Sequence, residues 1–526
     1  NGSDEKKKEE KAPDPVVIDF AGIERRILPM PVPGRDYRMT ISGPAGSVFI
    51  GEQVPNGENM ILQKFSLEER EAKPFSEGVL SAAISADGNK LLVHTGAGWQ
   101  VLDATAAEAQ EPASLSLNLK MKLERSDEWS QIFEEAWRYQ RDYFYDPDMH
   151  GRDWDEVYRR YAPLVPFIKH RSALTYVLDQ MNGELSVGHS FVSGGDYPDV
   201  GESSTGLLGA DLVVDKRHWK IERIYTSESW NPELSGPLDK PGLNIETGHY
   251  LVGVNGQALD AGQNPYSLLE GTADVQTVLH INDKPDFESS WKEFVTPIKS
   301  ENALRQRVWV EDNRRMVDRL SDGKLGYVWV PNTSTAGLVS FNRYFFGQQD
   351  KEGAVIDERF NGGGFLDDYM VDLMNRTLRA AITNEVPGGQ AFRLPAGILG
   401  PKVLLINELA GSGGDFFPWV FRQQQTGPLI GRRTWGGLVK SSVHYSFVDG
   451  GRMTAPDNAV FDPINSQWIA ENEGVGPDIE VYQDAKSLDE GRDPQLERAV
   501  IEALKLLEER PTPSSTPPPF SKPASN

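Results

Sequence analysis

The sequence predicts a multidomain α+β protein, and three changes in hydrophobic pattern carry that expectation. Between residues 16 and 107, short apolar runs alternate with turn signals, the pattern of antiparallel strands. From Ser126 onward Trp129, Ile132, Phe133, Ala136 and Trp137 recur at helical spacing. Beyond about Ser300, continuous apolar runs at 325–330, 354–357 and 403–406 alternate with helix-length segments, as buried parallel strands do.

Taken in order, residues 1–14 alternate charge in blocks and read as a charged linker. Residues 15–115 carry hairpin signals at Asn56-Gly57 and at Asp87-Gly88, the latter between two apolar runs. Their spacing fits about two four-stranded β-propeller blades. Two blades cannot close a ring, so the missing ones are expected from an N-terminal half of the same protein. Residues 116–200 read as helical, with Ser126 or Asp127 placed to cap the first helix. Further helices are expected over Trp154–Tyr161 and 172–181, ending at Asn182-Gly183. Residues 201–299 return to short, glycine-rich strands. Residues 300–507 form the α/β/α part, with helices expected over 366–381 and 415–425. The Pro/Ser/Thr-rich tail, 508–526, is expected to be disordered.

Composition narrows the function. At 526 residues the chain is long enough for three or four domains. Its 54 Lys and Arg against 78 Asp and Glu leave a net charge of −24, which argues against a nucleic-acid binder held by phosphate contacts. No run of about 18 apolar residues occurs, so no membrane helix is expected. The opening, Asn1-Gly2-Ser3-Asp4-Glu5, lacks the apolar core of a signal peptide. Cysteine is absent, which removes disulfides, thiolate zinc sites and a cysteine nucleophile together. None of the eight histidines sits in an H-E-x-x-H or H-x-H arrangement, so neither a metal nor a cofactor is implied.

The remaining chemistry gathers at two glycine clusters. In Ala410-Gly411-Ser412-Gly413-Gly414-Asp415 a serine follows a buried strand and precedes a helix. Such a turn exposes the hydroxyl and offers backbone N–H groups to an oxyanion. Asn361-Gly362-Gly363-Gly364 follows the end of a second apolar strand. Two such turns at strand C-termini of one sheet are where a pocket is expected. A P-loop is excluded because no Gly-Lys-Ser/Thr follows. The base must be histidine or lysine. His189 lies in a glycine-flanked loop, Gly183 to Ser190, and Glu471 is a candidate orienting carboxylate.

Several motifs give the chain a family likeness. They are Glu128-Trp129 through Arg138, Arg141-Asp142-Tyr143-Phe144-Tyr145-Asp146-Pro147 with Met149-His150-Gly151, and Gly183-Glu184-Leu185 to His189. They continue with Asn361-Gly362-Gly363-Gly364, Thr434-Trp435-Gly436-Gly437 and Gly474-Val475 with Pro477-Asp478. Over roughly residues 15–505 the sequence resembles the C-terminal half of the tricorn-type serine peptidases, relatives of the tail-specific, C-terminal processing peptidases. The resemblance implies a propeller, a helical domain, a PDZ-like domain and a crotonase- or Clp-like α/β/α catalytic domain. It also implies degradation of peptide substrates through an acyl-enzyme. By position, Ser412 matches the nucleophile, His189 the base and Glu471 the assisting glutamate, with Glu473 in reserve. Backbone amides of Gly413 and the Gly363/Gly364 pair match the oxyanion donors.

Two departures stand out. The family places a serine directly before the catalytic histidine as a relay to the glutamate. Here that residue is Gly188, so Ser186, Ser190, water or Glu471 itself must serve. The tail-specific branch uses a lysine after Thr-Phe-Gly, whereas here Thr434-Trp435-Gly436 is followed by Gly437 and the nearest lysine is Lys440. The histidine mechanism is therefore expected. Gly206-Leu207-Leu208-Gly209 is the segment that a PDZ-like domain would use to bind a peptide end or a β-strand by edge addition, and the resemblance equally implies a mainly structural PDZ domain. The acid that favours basic side chains at the cleaved position falls among Asp367, Asp368, Asp372 and Glu385. A homo-oligomer is expected on family grounds, as is a cytoplasmic location, with export the alternative suggested by the absence of cysteine. Two other readings stand beside the peptidase. One is a catalytically weakened peptide- or ligand-binding protein on the same scaffold. The other is an α/β-hydrolase esterase, whose nucleophile elbow Ala410-x-Ser412-x-Gly414 approximates but whose Ser–acid–His order the chain does not follow.

Overall fold

The computed structural model describes residues 18–519 except 28, 56, 108–112, 118, 227, 229 and 387. The charged segment 1–14, Asn56 of the first expected hairpin turn, and residues 520–526 of the tail lie outside the described residues. The chain divides into two compact units, one ending at Leu123 and the other beginning at Glu124.

In the first unit seven strands pair in sequence order within one antiparallel sheet: β1 (Tyr37–Ser42), β2 (Ser47–Gln53), β3 (Met60–Ser66), β4 (Glu71–Ile84), β5 (Lys90–Thr95), β6 (Gly98–Asp103) and β7 (Ala113–Leu115). The 14-residue β4 pairs with β3 along its first half and with β5 along its second. Register slips on both sides of Gly78, whose φ is +67°. Each slip inserts a residue and bends the strand. A single long bulged strand therefore serves both halves of the sheet. Phe49, Leu62, Phe75, Val79, Leu91 and Val93 form its buried core.

The second unit opens with three helices. The first, α1 (Arg125–Tyr143), starts before the expected caps: its N-cap is Glu124, and Arg125 pairs with Glu128 and Asp196. Ile132, Phe133 and Ala136 face inward as the spacing predicts. Then come α2 (Trp154–Tyr161), capped by Asp153, and α3 (Arg171–Gly183). Arg171 is 2 % exposed and bonds Asp449 and Thr175, which clamps α3 to the segment around Gly451. A six-stranded antiparallel sheet follows, with Ala210–Asp215, His218–Ile224, Tyr250–Val254, Thr277–Asn282 and Trp291–Val295 as its main strands.

The last part is an α/β layer structure. Leu325–Trp329, Gly353–Asp357, Lys402–Ile406, Leu429–Gly431 and Ile479–Glu480 pair in parallel, in that order. The first four are buried along their whole length, which is why they read as continuous apolar runs. Around the sheet lie α4 (Asn302–Leu320), α5 (Thr335–Gly347), α6 (Asp367–Met374), α7 (Gly413–Gln423) and the C-terminal helix Pro494–Glu509. The helix expected over 366–381 stops at Met374. Asn375 turns aside to donate to Gln424 and Thr426, and Ala380–Ile382 pairs instead with Phe392–Leu394.

Candidate active site

Strands Gly353–Asp357 and Lys402–Ile406 are parallel neighbours, so the turns after their C-terminal ends meet. Gly411 donates its N–H to the carbonyl of Asn361. Ser412 caps α7 with φ 59° and ψ −116°, a conformation a non-glycine residue holds only when its surroundings enforce it. Its N–H reaches the carbonyl of Gly437 at 2.9 Å and the carboxylate of Asp415 at 3.0 Å. Asp415 is wholly buried, and it also accepts from Thr434 Oγ1 and from the N–H groups of Gly436 and Gly437. One carboxylate thus fastens the 434–437 loop to the serine turn. Asp415 and Thr434 both lie in motifs legible in the sequence, but nothing there joins them to each other, although Ser412-x-x-Asp415 has capping-box spacing.

The glycines beside the serine are demanded by space. At Gly364, φ is +145° and a Cβ would lie 2.2 Å from the Thr333 carbonyl carbon. A Cβ on Gly413 would stand 2.2 Å from Thr333 Oγ1 and 2.7 Å from the Gly364 nitrogen. Of the three expected oxyanion donors, Gly363 already gives its N–H to Asn361 Oδ1 at 2.8 Å. The N–H groups of Gly364 and Gly413 have no hydrogen-bond acceptor among the described residues.

Ser412, Gly364 and Gly413 line one cavity of about 260 Å³ together with His189, Phe365, Asp367, Phe416, Leu438, Lys440, Ser441 and Val460. The His189 ring packs at 5.4 Å from that of Trp435, and its Nδ1 is buried with no hydrogen-bond partner among the described residues. Burial lowers the imidazole pKa below its ordinary 6.5, while the charges of Glu471 and then Asp415 oppose that shift. Glu471 accepts the Gly188 N–H at 3.1 Å through Oε1, and those of Leu438 and Val439 at 2.7 and 2.8 Å through Oε2. The reserve candidate, Glu473, is exposed. Of the substitutes for the relay serine, Ser190 Oγ takes a hydrogen bond from Gln140. The Lys440 ammonium is engaged by Ser442, Asp457 and Asn458.

Two further groups of expected residues have definite surroundings. In the segment that was to bind a peptide end, Gly206, Leu207 and Gly209 give their N–H groups to Leu269, Ile298 and Glu301. Leu207 and Ile298 bond each other in both directions, so that edge is already paired within the unit; Leu208 is buried. Of the four acids considered for recognising a basic side chain, Asp367 lines the cavity, whereas Asp368, Asp372 and Glu385 are not among its walls.

A serine held in a strained turn at a helix N-terminus, sharing a pocket with a half-buried imidazole and free backbone amides, is the arrangement of the serine hydrolases. The domains match known families in the same order. Residues 125–183 match the tricorn protease C1 domain, residues 206–300 the tricorn protease PDZ domain, and residues 324–481 peptidase family S41. The chain is 32 % identical to tricorn protease homolog 1 of Streptomyces coelicolor, over 95 % of this chain and 48 % of that protein. It is also 32 % identical to a tricorn-like protease C-terminal subunit of Sulfurisphaera tokodaii, over 94 % of this chain and 58 % of that one. The crystal structure of the tricorn protease superposes with a TM-score of 0.82 at 26 % identity, covering 90 % of this chain and 47 % of the other. The chain carries a tricorn C1, a tricorn PDZ and an S41 peptidase domain, and is similar to the tricorn proteases along nearly its whole length. It spans about half the length of most of the curated relatives it matches.

Proposed function

We propose that this chain is the catalytic half of a serine peptidase that cleaves peptides through an acyl-enzyme. Ser412 is the nucleophile, His189 takes its proton, and the N–H groups of Gly364 and Gly413 hold the tetrahedral oxyanion. Glu471 acts through the main chain of Gly188 and through its field on the imidazole. The observation that carries this reading is the strained Ser412 at the head of α7, opening into the cavity that His189 also lines. The negative charge of Glu471 favours the imidazolium that forms when His189 takes the serine proton, and the acid itself stays ionised.

The finer architecture belongs to the same proposal. The seven-stranded sheet is read as the last blades of a β-propeller whose remaining blades lie in an N-terminal half, and the parallel layer as a crotonase- or Clp-like module. Segments 15–115, 116–200, 201–299 and 300–507 are its domains, with self-association and a cytoplasmic location taken from the family. Among the described residues no helix is long and apolar enough to cross a membrane.

The test is mass spectrometry of an unlabelled peptide pool incubated with the protein beside a Ser412→Ala control. New termini that vanish in the control support the reading. Identical fragment sets from both forms overturn it.

A further inference from the structure

One buried carboxyl in the cavity has no part in the acyl-transfer scheme. Asp367, the first residue of α6, is 2 % exposed, yet it lines the same space as Ser412 and His189. Among the described residues neither its Oδ1 nor the fully buried Thr333 Oγ1 beside it makes a well-formed hydrogen bond, although the hydroxyl lies close enough to favour the carboxylate's charge in part. Both oxygens converge on the oxyanion donors. A Cβ built on Gly413 would stand 2.2 Å from Thr333 Oγ1, 2.7 Å from the Gly364 nitrogen and 2.9 Å from Asp367 Oδ1. Buried polar atoms without well-formed hydrogen bonds are costly and rare, and here a carboxyl and a hydroxyl in that state flank the backbone that would bind the oxyanion.

The charges around Asp367 are mostly negative. Asp368 follows it on α6, and Glu358 lies buried just beyond the strand Gly353–Asp357. Burial, with Asp367 and Asp415 adding, holds the Glu358 carboxyl well above the usual carboxylate range. On α7, Asp415 spends its oxygens on Ser412, Thr434, Gly436 and Gly437. Across the cavity stand His189 and Lys440, the latter occupied by Ser442, Asp457 and Asn458. No ion pair reaches Asp367 among the described residues.

We propose that Asp367 is a positioning residue of the acyl-transfer site that serves it only as the neutral acid. Protonated, it backs the Gly364 and Gly413 donors without charge and has one O–H to give. Ionised, it sets a negative charge beside the place where the oxyanion must form, and the site shuts. Like charges at such range in a dry pocket oppose each other strongly, and the transition state is where that opposition is greatest. Burial raises this carboxyl to about 7, with Asp368 adding and the Thr333 hydroxyl and the local backbone only partly opposing it. The proton lost goes to solvent, and no other bond changes. The inference rests on the catalytic reading of Ser412.

The test follows the rate at which a fluorophosphonate probe acylates Ser412, read as mass gain on the Ser412 peptide, from pH about 5 to about 9. The native protein should show a rise at low pH, from deprotonation of His189, and a fall of about tenfold per pH unit above roughly neutral pH. Asp367→Asn should keep the rise and lose the fall, and Asp367→Ser, which removes the charge with a smaller side chain, should do the same. An unchanged alkaline fall in the folded variants, or its absence from the native protein, overturns the role of Asp367. Absence of labelling at Ser412 at every pH overturns the catalytic reading itself.

Discussion

Glu471 grips the loop that presents His189 by its main chain: one carboxylate oxygen accepts the N–H of Gly188 at 3.1 Å. The other accepts the N–H groups of Leu438 and Val439, so a single acid joins the histidine loop to the wall of the cavity. The relation explains how a glycine stands where the family carries a relay serine. The acid holds the loop in place without any side chain at position 188.

Replacing Glu471 with Gln should therefore act twice. An amide has one acceptor oxygen and turns an NH2 toward donors, so at least one of the three bonds is lost, and stability should fall by about 1–3 kcal/mol. The charge that raises the His189 pKa also disappears, leaving burial to lower it further. A base must be neutral to act, so the acid limb of the pH–rate profile should move to lower pH in Glu471→Gln. A limb that stays in place or moves upward would remove Glu471 from the account.

Restoring the family serine should not simply improve the site. A Cβ on Gly188 meets the Trp435 ring at 3.1 Å and the Gly437 Cα at 3.2 Å, contacts that force a neighbour to yield. Gly188→Ser is expected to lower the melting temperature by an amount worth about 1–3 kcal/mol, and Trp435→Leu in the same chain should recover part of it. A double-mutant cycle by thermal unfolding reads the coupling, and strict additivity would contradict it.

Gly413→Ala probes the oxyanion donors. The new methyl would run into Thr333 Oγ1 and the Gly364 nitrogen, displacing both free amides at once. A loss of about 100-fold or more in acylation rate is expected, because removing even one such donor costs that much. Far-ultraviolet circular dichroism should stay native.

Away from the chemistry, Arg359 is a buried cation that joins two elements. It is 3 % exposed and bonds Asp357, Asp493 and Gln495, tying the strand before the glycine cluster to the C-terminal helix. Arg359→Met leaves two buried carboxylates without their cation, and denaturant unfolding should show a loss of about 3–5 kcal/mol.

These cases also mark what the sequence could reveal. Trp154–Tyr161 is a helix over the residues its pattern predicts, because Asp153 caps it and Trp154 and Val157 lie on one buried face. The parallel strands were legible because burial on both sides makes them uniformly apolar. The end of α6 was not, since Met374 gives way to Asn375 through hydrogen bonds to residues some 50 positions later. At the site, the glycine spacing pointed to the two turns, but not to the fact that Asn361 consumes the Gly363 amide. What Asp415 fastens was hidden, because its four donors come from two loops separated by about twenty residues. The bulged β4 likewise hid the join between the two halves of its sheet.

Covalent capture tests, without a known substrate, whether Ser412 is a nucleophile activated by His189. The protein is treated with a fluorophosphonate at neutral pH and digested, and the adduct is mapped by mass spectrometry in the native form, Ser412→Ala and His189→Ala. The account predicts one adduct, on Ser412, absent in the serine variant and slowed about 100-fold or more in the histidine variant. An adduct on another serine that survives Ser412→Ala, or labelling of Ser412 at full rate without His189, would contradict it.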